Sequence, residues 1–593
     1  MRKSSMARGL GVLAALAAGG CKSLDIENPN EPSSTILTDP NVLESVAAGT
    51  LRTWFNTYTV LEGTGVLSVQ ARTLSSSWNN GNMNFYSGVD ISPSDTTADP
   101  STWTRNTRSW QNDLSAAGRT SIEVEWFGIY SALSAANDAL KAIRVGNVVI
   151  GSAARTKRAE TIAQLIQGAS LMTLALNYDQ GYFLDEKTKA EDLPTLQRVS
   201  RKVLRDSALK KLDAAIALAS ANTFTTEPGW VHSSNLTYSN NDIARIANTM
   251  AAMLVSWYPR DATETSASGV VDWVKVASYA SKGMSTGTPV TVAIIGDGCT
   301  AWCQAMMPWF TDYSTGRIST RVAHFVDPTT QLDPYPLGIG NPQPNSPDKR
   351  MGDGSFGDAS LKDVYENVPK TGNAGTDFAW SGIGEVYRPD RGYYHQSNIG
   401  IIRWDESGKQ DPSGQWAGYG YSPVMTPMLN DLLWAEAKLR QGDAAGAASL
   451  IDKTRVGRGG LTSSAVAVAS PGSPDDGPCM SNAKLAKNGS ACTLWSMLLY
   501  EYEIELLQMG PAPFWNQRRL PLVKATGWER ATGCRTSPCS PNANTIFNGP
   551  RYVQGLLPGT PREMPVPAKE LAIKAEAFYT FGGSQPPKGT EVP

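Results

Sequence analysis

Apolar residues recur at three- and four-residue intervals in several blocks of the chain, which is the spacing of one face of an α-helix. Two blocks, 122–143 and 158–178, are separated by a short link that contains Gly and Ser, and they predict a helical hairpin. The same Ala-rich pattern continues at 203–218, 243–258, 271–281, 428–440 and 444–455. The sequence therefore predicts a mainly α fold in which the helices come in pairs.

The last two blocks predict a tetratricopeptide-like hairpin. They meet at Gly442, and Ala447 follows five residues later, although no regular repeat of about 34 residues runs through the chain. We expect tetratricopeptide-like helix pairs to form one scaffold, mainly at 120–285 and 425–515.

Three long stretches, 75–118, 287–423 and 471–490, lack helical periodicity and are rich in turn-forming residues, and we expect loops there. Structureless connections longer than about 15 residues inside a compact domain usually carry function or are disordered. These stretches also contain many aromatic residues, which favours ordered recognition surface. We expect a large, loop-rich variable layer that holds ligand, mainly at 75–118 and 287–423.

Composition narrows the class of function. The 593 residues are 41% hydrophobic, which is enough for a large core and excludes disorder of the whole chain. Lys and Arg number 53 against 55 Asp and Glu, so the basic footprint of a nucleic-acid binder is missing. Trp is frequent, with 17 residues, and His is scarce, with three, so composition favours binding over catalysis.

The amino terminus has the pattern of a secretory signal peptide at 1–20. Three basic residues precede a short apolar run at 10–18, and Gly19 and Gly20 precede Cys21. The run is too short to cross a bilayer, which takes about 20 residues. The residues before Cys21 resemble a bacterial lipobox, in which the Cys becomes the lipidated first residue. An ordinary signal peptide that ends near a cysteine is the alternative.

If Cys21 is lipidated, the lipid is the only membrane attachment that the sequence predicts, because no other segment has twenty uninterrupted apolar residues. Lys22 follows the Cys, where an inner-membrane protein would carry Asp. We therefore expect an outer-membrane location, facing the cell exterior.

The other six cysteines fall into three pairs that are close in sequence, and in an exported chain each pair is a disulfide candidate. A zinc site is the alternative, but the paired C-x2-C pattern is missing and no His lies close by. The pairs are Cys299 with Cys303, Cys479 with Cys492, and Cys534 with Cys539.

The carboxyl-terminal run Asp431-Leu-Leu-Trp-Ala-Glu-Ala-Lys-Leu-Arg-Gln-Gly-Asp443, followed by Arg458-Gly-Gly-Leu461, resembles the SusD/RagB family of outer-membrane lipoproteins. Further segments agree in order, and the resemblance covers most of the chain. They include Leu24-Asp25, Trp126, Tyr130, Ala136-Asn137, Glu160, Gly168-Ala169, Tyr178, Glu501, Gly510, Trp515, Arg518-Arg519 and Pro565-Val-Pro567. The resemblance weakens in 287–423, and the ending Tyr579-Thr-Phe-Gly-Gly583 departs from the family pattern.

The resemblance implies one SusD-like domain at 21–593, which is not an enzyme. Such a protein captures oligosaccharides, or in some members peptides, above a TonB-dependent transporter barrel and passes them to it. The helix pairs would face the barrel, and the loops would hold the ligand.

Sugar binding requires flat aromatic faces with nearby amides and charged groups for the hydroxyls. The stretches 75–118 and 287–423 both supply such residues. The resemblance implies a ligand site drawn from the loop after the family's first helix and from a second loop midway along the chain, which correspond to these stretches. The predicted ligand-binding residues are Trp78, Asn80, Tyr86, Trp103, Trp302, Trp309, Tyr313 and Arg317. For each of the tryptophans, anchoring of a loop onto the scaffold is the alternative.

Other aromatic and basic residues are assigned to structure. Trp126, Trp257, Trp273, Trp434 and Trp515 lie in helical patterns, and we expect them in the core. For Arg518-Arg519 the resemblance implies a structural role near a helix end.

Catalytic alternatives have weaker support. Glu501, Glu503 and Glu505 suggest a surface glycosidase, but residues two apart diverge on a helix, and we expect a solvated charged face there. No metalloprotease or serine-hydrolase motif is present, and we expect no metal-dependent chemistry and no cofactor. Gly296-Asp-Gly298 and Gly352-Asp-Gly354 leave a structural calcium ion open. Another open alternative is a pure scaffold that binds only a partner protein.

Overall fold

The structure is a computed structural model. It describes residues 36–76, 80–86, 108–231, 236–303, 316–328, 330–331, 343–351, 375–380, 397, 399–401, 403, 419–480, 491–522, 556 and 559–582. Helices supply most of the secondary structure of these residues, which confirms the prediction of a mainly α fold.

The helices of the amino-terminal half include long ones that match the predicted blocks. They are α1 (Pro40–Tyr58), α2 (Val66–Gln70), α3 (Met83–Tyr86), α4 (Thr120–Arg144), α5 (Ala153–Asn177), α6 (Arg201–Ala221), α7 (Asn240–Trp257), α8 (Ala262–Ser266) and α9 (Trp273–Ala280). A π-helical turn, Leu61–Gly65, joins α1 to α2. α1 is not among the helices predicted from the apolar spacing.

The helices that follow are shorter. They are α10 (Thr320–Val326), α11 (Pro427–Arg440), α12 (Ala444–Arg455), α13 (Leu494–Glu505), α14 (Ala512–Arg518) and α15 (Ala568–Ile573).

Polar residues cap several of the helix starts, because the first turn of a helix leaves backbone N–H groups without an internal partner. Ser152 accepts from the Arg155 N–H at the start of α5, and Ser200 accepts from the Val203 N–H at the start of α6. At α7, Ser239 and Asp242 form a capping box. These caps explain why the helices begin a few residues before the apolar pattern does.

The long helices pack in sequence order. α4 lies against α5, α5 against α6 and α6 against α7, while α1 packs on both α4 and α5. α9 packs between α7 and α11, which joins the first group of helices to the pair α11 and α12. The turn between α11 and α12 includes Gly442 at φ 83°, a left-handed conformation that favours glycine.

Strands form short antiparallel pairs. They are β1 (Leu74–Ser76), β2 (Gln180–Gly181), β3 (Val199–Ser200), β4 (Val292–Asp297), β5 (Gly316–Ile318), β6 (Phe378–Trp380), β7 (Ile399–Ile401) and β8 (Tyr419–Met425). β1 pairs with β5, β2 with β3, β4 with β8, and β6 with β7.

Within the described part of 287–423, the expectation of loops is wrong only at the strands and the helix that lie there. β4 to β8 and α10 lie there, and α3 lies in the stretch 75–118. The strands are short, β4 and β5 pair with strands more than 100 residues away, and residues 381–398 separate β6 from β7, so no short hairpin turn marks them.

The apolar core runs through the helices of both halves. Trp126, Trp257 and Trp515 are buried, as predicted, and Trp273 and Trp434 are half-buried against the same core. Within the described residues, no helix is both long enough and apolar enough to cross a membrane.

Candidate functional site

The two stretches that carry most of the predicted ligand residues meet at a single strand pair. β1 follows the first helices and β5 lies midway along the chain, and they pair with Leu74 opposite Ile318 and Ser76 opposite Gly316. The strands are antiparallel, so the chain leaves β1 and enters β5 at the same end of the pair. We call this strand pair the β1–β5 ladder.

The ladder is attached to the helical scaffold by Arg321 of α10. Its guanidinium donates to the backbone oxygen of Arg72 at 3.2 Å and to both oxygens of Glu503, at 2.9 and 2.5 Å. Ser319, next to β5, donates its N–H to the Thr73 oxygen at 3.0 Å. Arg72 adopts φ 51°, a conformation that non-glycine residues hold only when their surroundings impose it.

A compact turn lies near the start of the second stretch, 287–423. The Asp297 carboxylate accepts the backbone N–H groups of Thr300, Ala301 and Trp302 at 3.0 to 3.2 Å. Cys299 and Cys303 form a disulfide across the same turn. We call residues 297–303 the Asp297 turn.

Helix α1 holds the Asp297 turn through one side chain. Asn56 donates from Nδ2 to the Ala301 oxygen at 3.0 Å, and its Oδ1 accepts the Cys303 N–H at 3.1 Å. The neighbouring Phe55 meets the Trp302 ring edge to face, with centroids 6.5 Å apart. Sequence reasoning missed Asn56, since nothing in the sequence links it to a turn 245 residues away.

Three predicted ligand residues lie in the interior. Tyr86 is 3% exposed and accepts the Gln111 N–H at 2.9 Å, and burial raises the pKa of its hydroxyl to about 12. Trp302 is 5% exposed, and Arg317, within β5, is 1% exposed. In this arrangement Trp302 anchors its turn to the scaffold, which was the stated alternative for a loop tryptophan.

The remaining predicted ligand residues are not described. Trp78, Trp103, Trp309 and Tyr313 lie outside the described residues. Asn80 opens a 3-10 turn, Asn80–Asn82, and its side chain is not among those described.

The three glutamates considered for glycoside hydrolysis are buried, so the expectation of a solvated face on their helix is wrong. The exposed fractions are 0% for Glu501, 8% for Glu503 and 0% for Glu505. Apolar neighbours surround α13, and each carboxylate is neutralised by arginines that the sequence places far away. The expectation failed because α13 is buried on all sides, so its charged residues face the protein interior and not solvent.

A balanced group of buried charges holds parts of the variable layer onto α13, and we call it the α13 charge cluster. Its members are Asp348, Arg350, Asp377, Arg403, Arg455, Arg458, Glu501 and Glu505.

Glu505 is the centre of the α13 charge cluster. Arg403 donates to it at 2.7 Å and Arg350 at 3.0 Å, and Arg458 contacts the same carboxylate. Burial alone would raise the pKa of Glu505, but the three arginines more than offset this and hold the pKa far below its usual value.

Arg518 and Arg519 after Trp515 have structural roles. Arg519 donates to both oxygens of Glu436 of α11, at 2.6 and 2.5 Å. Arg518 donates to four backbone oxygens, those of Trp257, Pro259, Leu176 and Arg562. Both side chains are fully buried, so neither forms an accessible fork for an anion.

The cysteines that the structure describes are joined in disulfides. A disulfide joins Cys479 to Cys492, as one joins Cys299 to Cys303, whereas Cys21, Cys534 and Cys539 lie outside the described residues. Among the residues that the structure describes, no group of three or more His, Cys, Asp or Glu side chains is arranged to hold a metal ion.

Comparison with known proteins returns structures and no sequence relatives. No protein-family model matches the chain, and no curated protein matches it. A SusD superfamily protein from Bacteroides thetaiotaomicron VPI-5482 is similar, at 11% identity over 86% of this chain and 94% of that chain, with a TM-score of 0.48. A SusD homolog from Parabacteroides distasonis ATCC 8503 is 14% identical over 81% of this chain and 86% of that chain, with a TM-score of 0.48.

A third similar structure was solved with xylogluco-oligosaccharide. It is 13% identical over 80% of this chain and 82% of its own, with a TM-score of 0.47.

Proposed function

We propose that the chain is a member of the SusD/RagB family, a non-enzymatic surface lipoprotein that captures oligosaccharides and passes them to a TonB-dependent outer-membrane transporter. In this proposal, residues 1–20 are a signal peptide, and a lipid on Cys21 attaches a single SusD-like domain, 21–593, to the outer membrane. The proposal rests on the residues that resemble the family together with one geometric observation.

That observation is the β1–β5 ladder. Trp78 lies two residues beyond Ser76, and Tyr313 lies three residues before Gly316, which is the partner of Ser76. Both residues are therefore at most three positions along the chain from the same end of the ladder. The ladder thus supports one site built from both stretches.

The chemistry of the two stretches suits a sugar. Trp78 with Asn80 on one side, and Trp309 with Tyr313 on the other, offer aromatic faces for the C–H face of a sugar ring and amide or hydroxyl groups for its hydroxyls. Buried Tyr86, Trp302 and Arg317 would support this site from beneath and not contact the ligand. Trp103, in the first stretch, would be a further contact of the ligand.

The pairing of the α13 carboxylates supports capture of a glycan without its hydrolysis. The carboxylates of Glu501, Glu503 and Glu505 are all paired with arginines in the interior, so none is available to protonate a glycosidic oxygen. Peptide capture would be favoured by a groove with Arg317 or Arg321 beside it, because a guanidinium can bind the carboxylate at a peptide terminus. Arg317 is 1% exposed and Arg321 0%, so the structure supplies no reason to prefer it.

The test is binding of the soluble chain, begun after Cys21, to a panel of polysaccharides, xylogluco-oligosaccharide and peptides. A Trp78→Ala/Trp309→Ala variant should lose the glycan signal. Trp434→Ala is the matched control, since Trp434 is half-buried on α11 and outside both stretches, and it should keep the signal. Failure of the parent chain to bind any glycan would contradict the proposal, and release of shorter sugars would contradict capture without turnover.

A further inference from the structure

Two polar groups in the interior of the helical scaffold have no hydrogen-bond partner in the protein. Within the described part of the chain, Oε2 of Glu125 on α4 and the hydroxyl of Tyr58 at the end of α1 are both unpaired. Both side chains have an exposed fraction of 0%. Buried polar groups in folded proteins are nearly always bound, by the protein or by ordered water, because an unpaired one destabilises the folded state.

The two groups belong to one small region. Oε1 of Glu125 accepts a hydrogen bond from Asn177 at 2.8 Å, and Oδ1 of Asn177 accepts the indole N–H of Trp515 at 2.6 Å. The Trp515 ring meets the Tyr58 ring edge to face, with centroids 6.0 Å apart. Burial raises the pKa of the Tyr58 hydroxyl well above its usual value, and the Glu125 carboxylate raises it further. The carboxyl and the hydroxyl are therefore neighbours.

Glycine backbone packs against both groups. Oε2 of Glu125 lies against the π-helical turn Leu61–Gly65, where a Cβ on Gly63 would be 2.9 Å from this oxygen. A Cβ on Gly510, which adopts φ 59°, would be 2.6 Å from Cε1 of Tyr58. Neither glycine has a side chain that could pair with the carboxyl or the hydroxyl.

Further unpaired polar atoms lie on the same segments. Nε1 of Trp54 is buried without a partner among the described residues, and the Trp54 ring stacks on Tyr58 with centroids 4.7 Å apart. Both polar atoms of the Gln508 amide, two residues before Gly510, are also buried and unpaired. A small polar ligand in this region would find several groups to bind.

We propose that ordered water molecules occupy this region and bind Oε2 of Glu125 and the hydroxyl of Tyr58. Water suits the site because it is small and both donates and accepts, and buried water typically makes about three hydrogen bonds. Burial raises the pKa of Glu125 to about 8, so the carboxyl is protonated at neutral pH. A protonated carboxyl and a hydroxyl can both donate to a water oxygen, and the uncharged pair offers no charge to balance a cation. The inference does not depend on the proposed function.

The first test is the melting temperature of Tyr58→Phe, which removes the hydroxyl and keeps the ring. If water binds the hydroxyl, the variant loses a hydrogen bond and should melt about 1 °C lower than the parent. If the hydroxyl is unpaired, its removal should raise the melting temperature, because an unsatisfied buried group disappears. An unchanged or raised melting temperature would overturn the proposal.

A high-resolution crystal structure of the parent is the second test, and it should show ordered water within about 3.2 Å of each of the two groups. Tyr178→Phe is the matched control, because the buried hydroxyl of Tyr178 donates directly to the Ile122 oxygen at 2.7 Å. This variant should also melt lower, but its crystal structure should keep the water at Glu125 and Tyr58. Either group without water, or a direct hydrogen bond between the two, would contradict the proposal.

Discussion

Arg350 binds both oxygens of Glu501, with Nη1 2.6 Å from Oε2 and Nη2 3.1 Å from Oε1, and neither side chain is exposed to solvent. The first residue belongs to the variable layer and the second to α13. Arg350 also contacts Asp348 and Glu505. The layer is therefore attached to the scaffold by buried charge as well as by apolar packing.

Glu501→Gln should destabilise the protein because it removes one partner of a buried ion pair and leaves the arginine charge in the interior. We expect a loss of about 3 to 5 kcal/mol in the free energy of unfolding, measured by urea denaturation. Lys202→Gln removes one partner of a pair that is 61% and 40% exposed, Lys202 with Asp206, and is the control. It should change the free energy by no more than about 1 kcal/mol. Equal effects of the two variants would disprove the special role of the buried pair.

The stability of the protein should fall as pH rises through neutrality because of Glu125. This residue is fully buried on α4, and burial raises its pKa to about 8 although Asn177 donates to it at 2.8 Å. In the unfolded chain the carboxyl ionises near its usual pKa of about 4.3, so between that pH and about 8 the folded state binds the extra proton. The favourable contribution is complete at low pH and is lost as pH approaches the folded pKa.

Glu125→Gln should remove this part of the pH dependence, since the neutral amide keeps an acceptor for Asn177. The melting temperatures of parent and variant are compared at pH 5 and pH 9. Relative to the parent, the melting temperature of the variant should be higher at pH 9 than at pH 5. The same difference in melting temperature at both pH values would show that the pKa of Glu125 is not raised in the folded protein.

Replacement of two glycines by alanine should change the stability of the protein in opposite directions. Gly49 lies inside α1 and Gly442 lies at φ 83° after α11, and a Cβ on either would meet no heavy atom within 4 Å. Gly49→Ala should stabilise by about 0.5 to 1 kcal/mol through backbone entropy. Gly442→Ala should destabilise by about 1 to 2 kcal/mol because the residue must hold a left-handed conformation. Thermal unfolding of both variants measures these effects. Effects of the same sign would contradict a helical conformation at Gly49 together with a left-handed one at Gly442.

The helical pairs could be predicted from sequence because their signals are local. α12 begins and ends at the predicted residues 444 and 455, since Asp443 caps its start and the apolar spacing covers its length. α1 was missed although Asp39 and Pro40 are a standard start signal, with Asp39 capping the Asn41 N–H.

The environment of α13 and the joining of the two stretches could not be predicted, because both depend on partners far away in sequence. Glu501 meets an arginine 151 residues away, and Glu503 meets one 182 residues away. The β1–β5 ladder joins residues separated by more than 200 positions. Spacing along a chain gives the residue types of a site but not the pairing that assembles it.

The central claim is that the two stretches form one glycan site. Its most direct test is a double-mutant cycle with Trp78→Ala, Trp309→Ala and the double variant, in which glycan affinity is measured by titration calorimetry. One shared site predicts that each single change weakens binding of the same glycan and that their effects are not additive. Full affinity in both single variants, or strictly additive losses, would contradict a shared site.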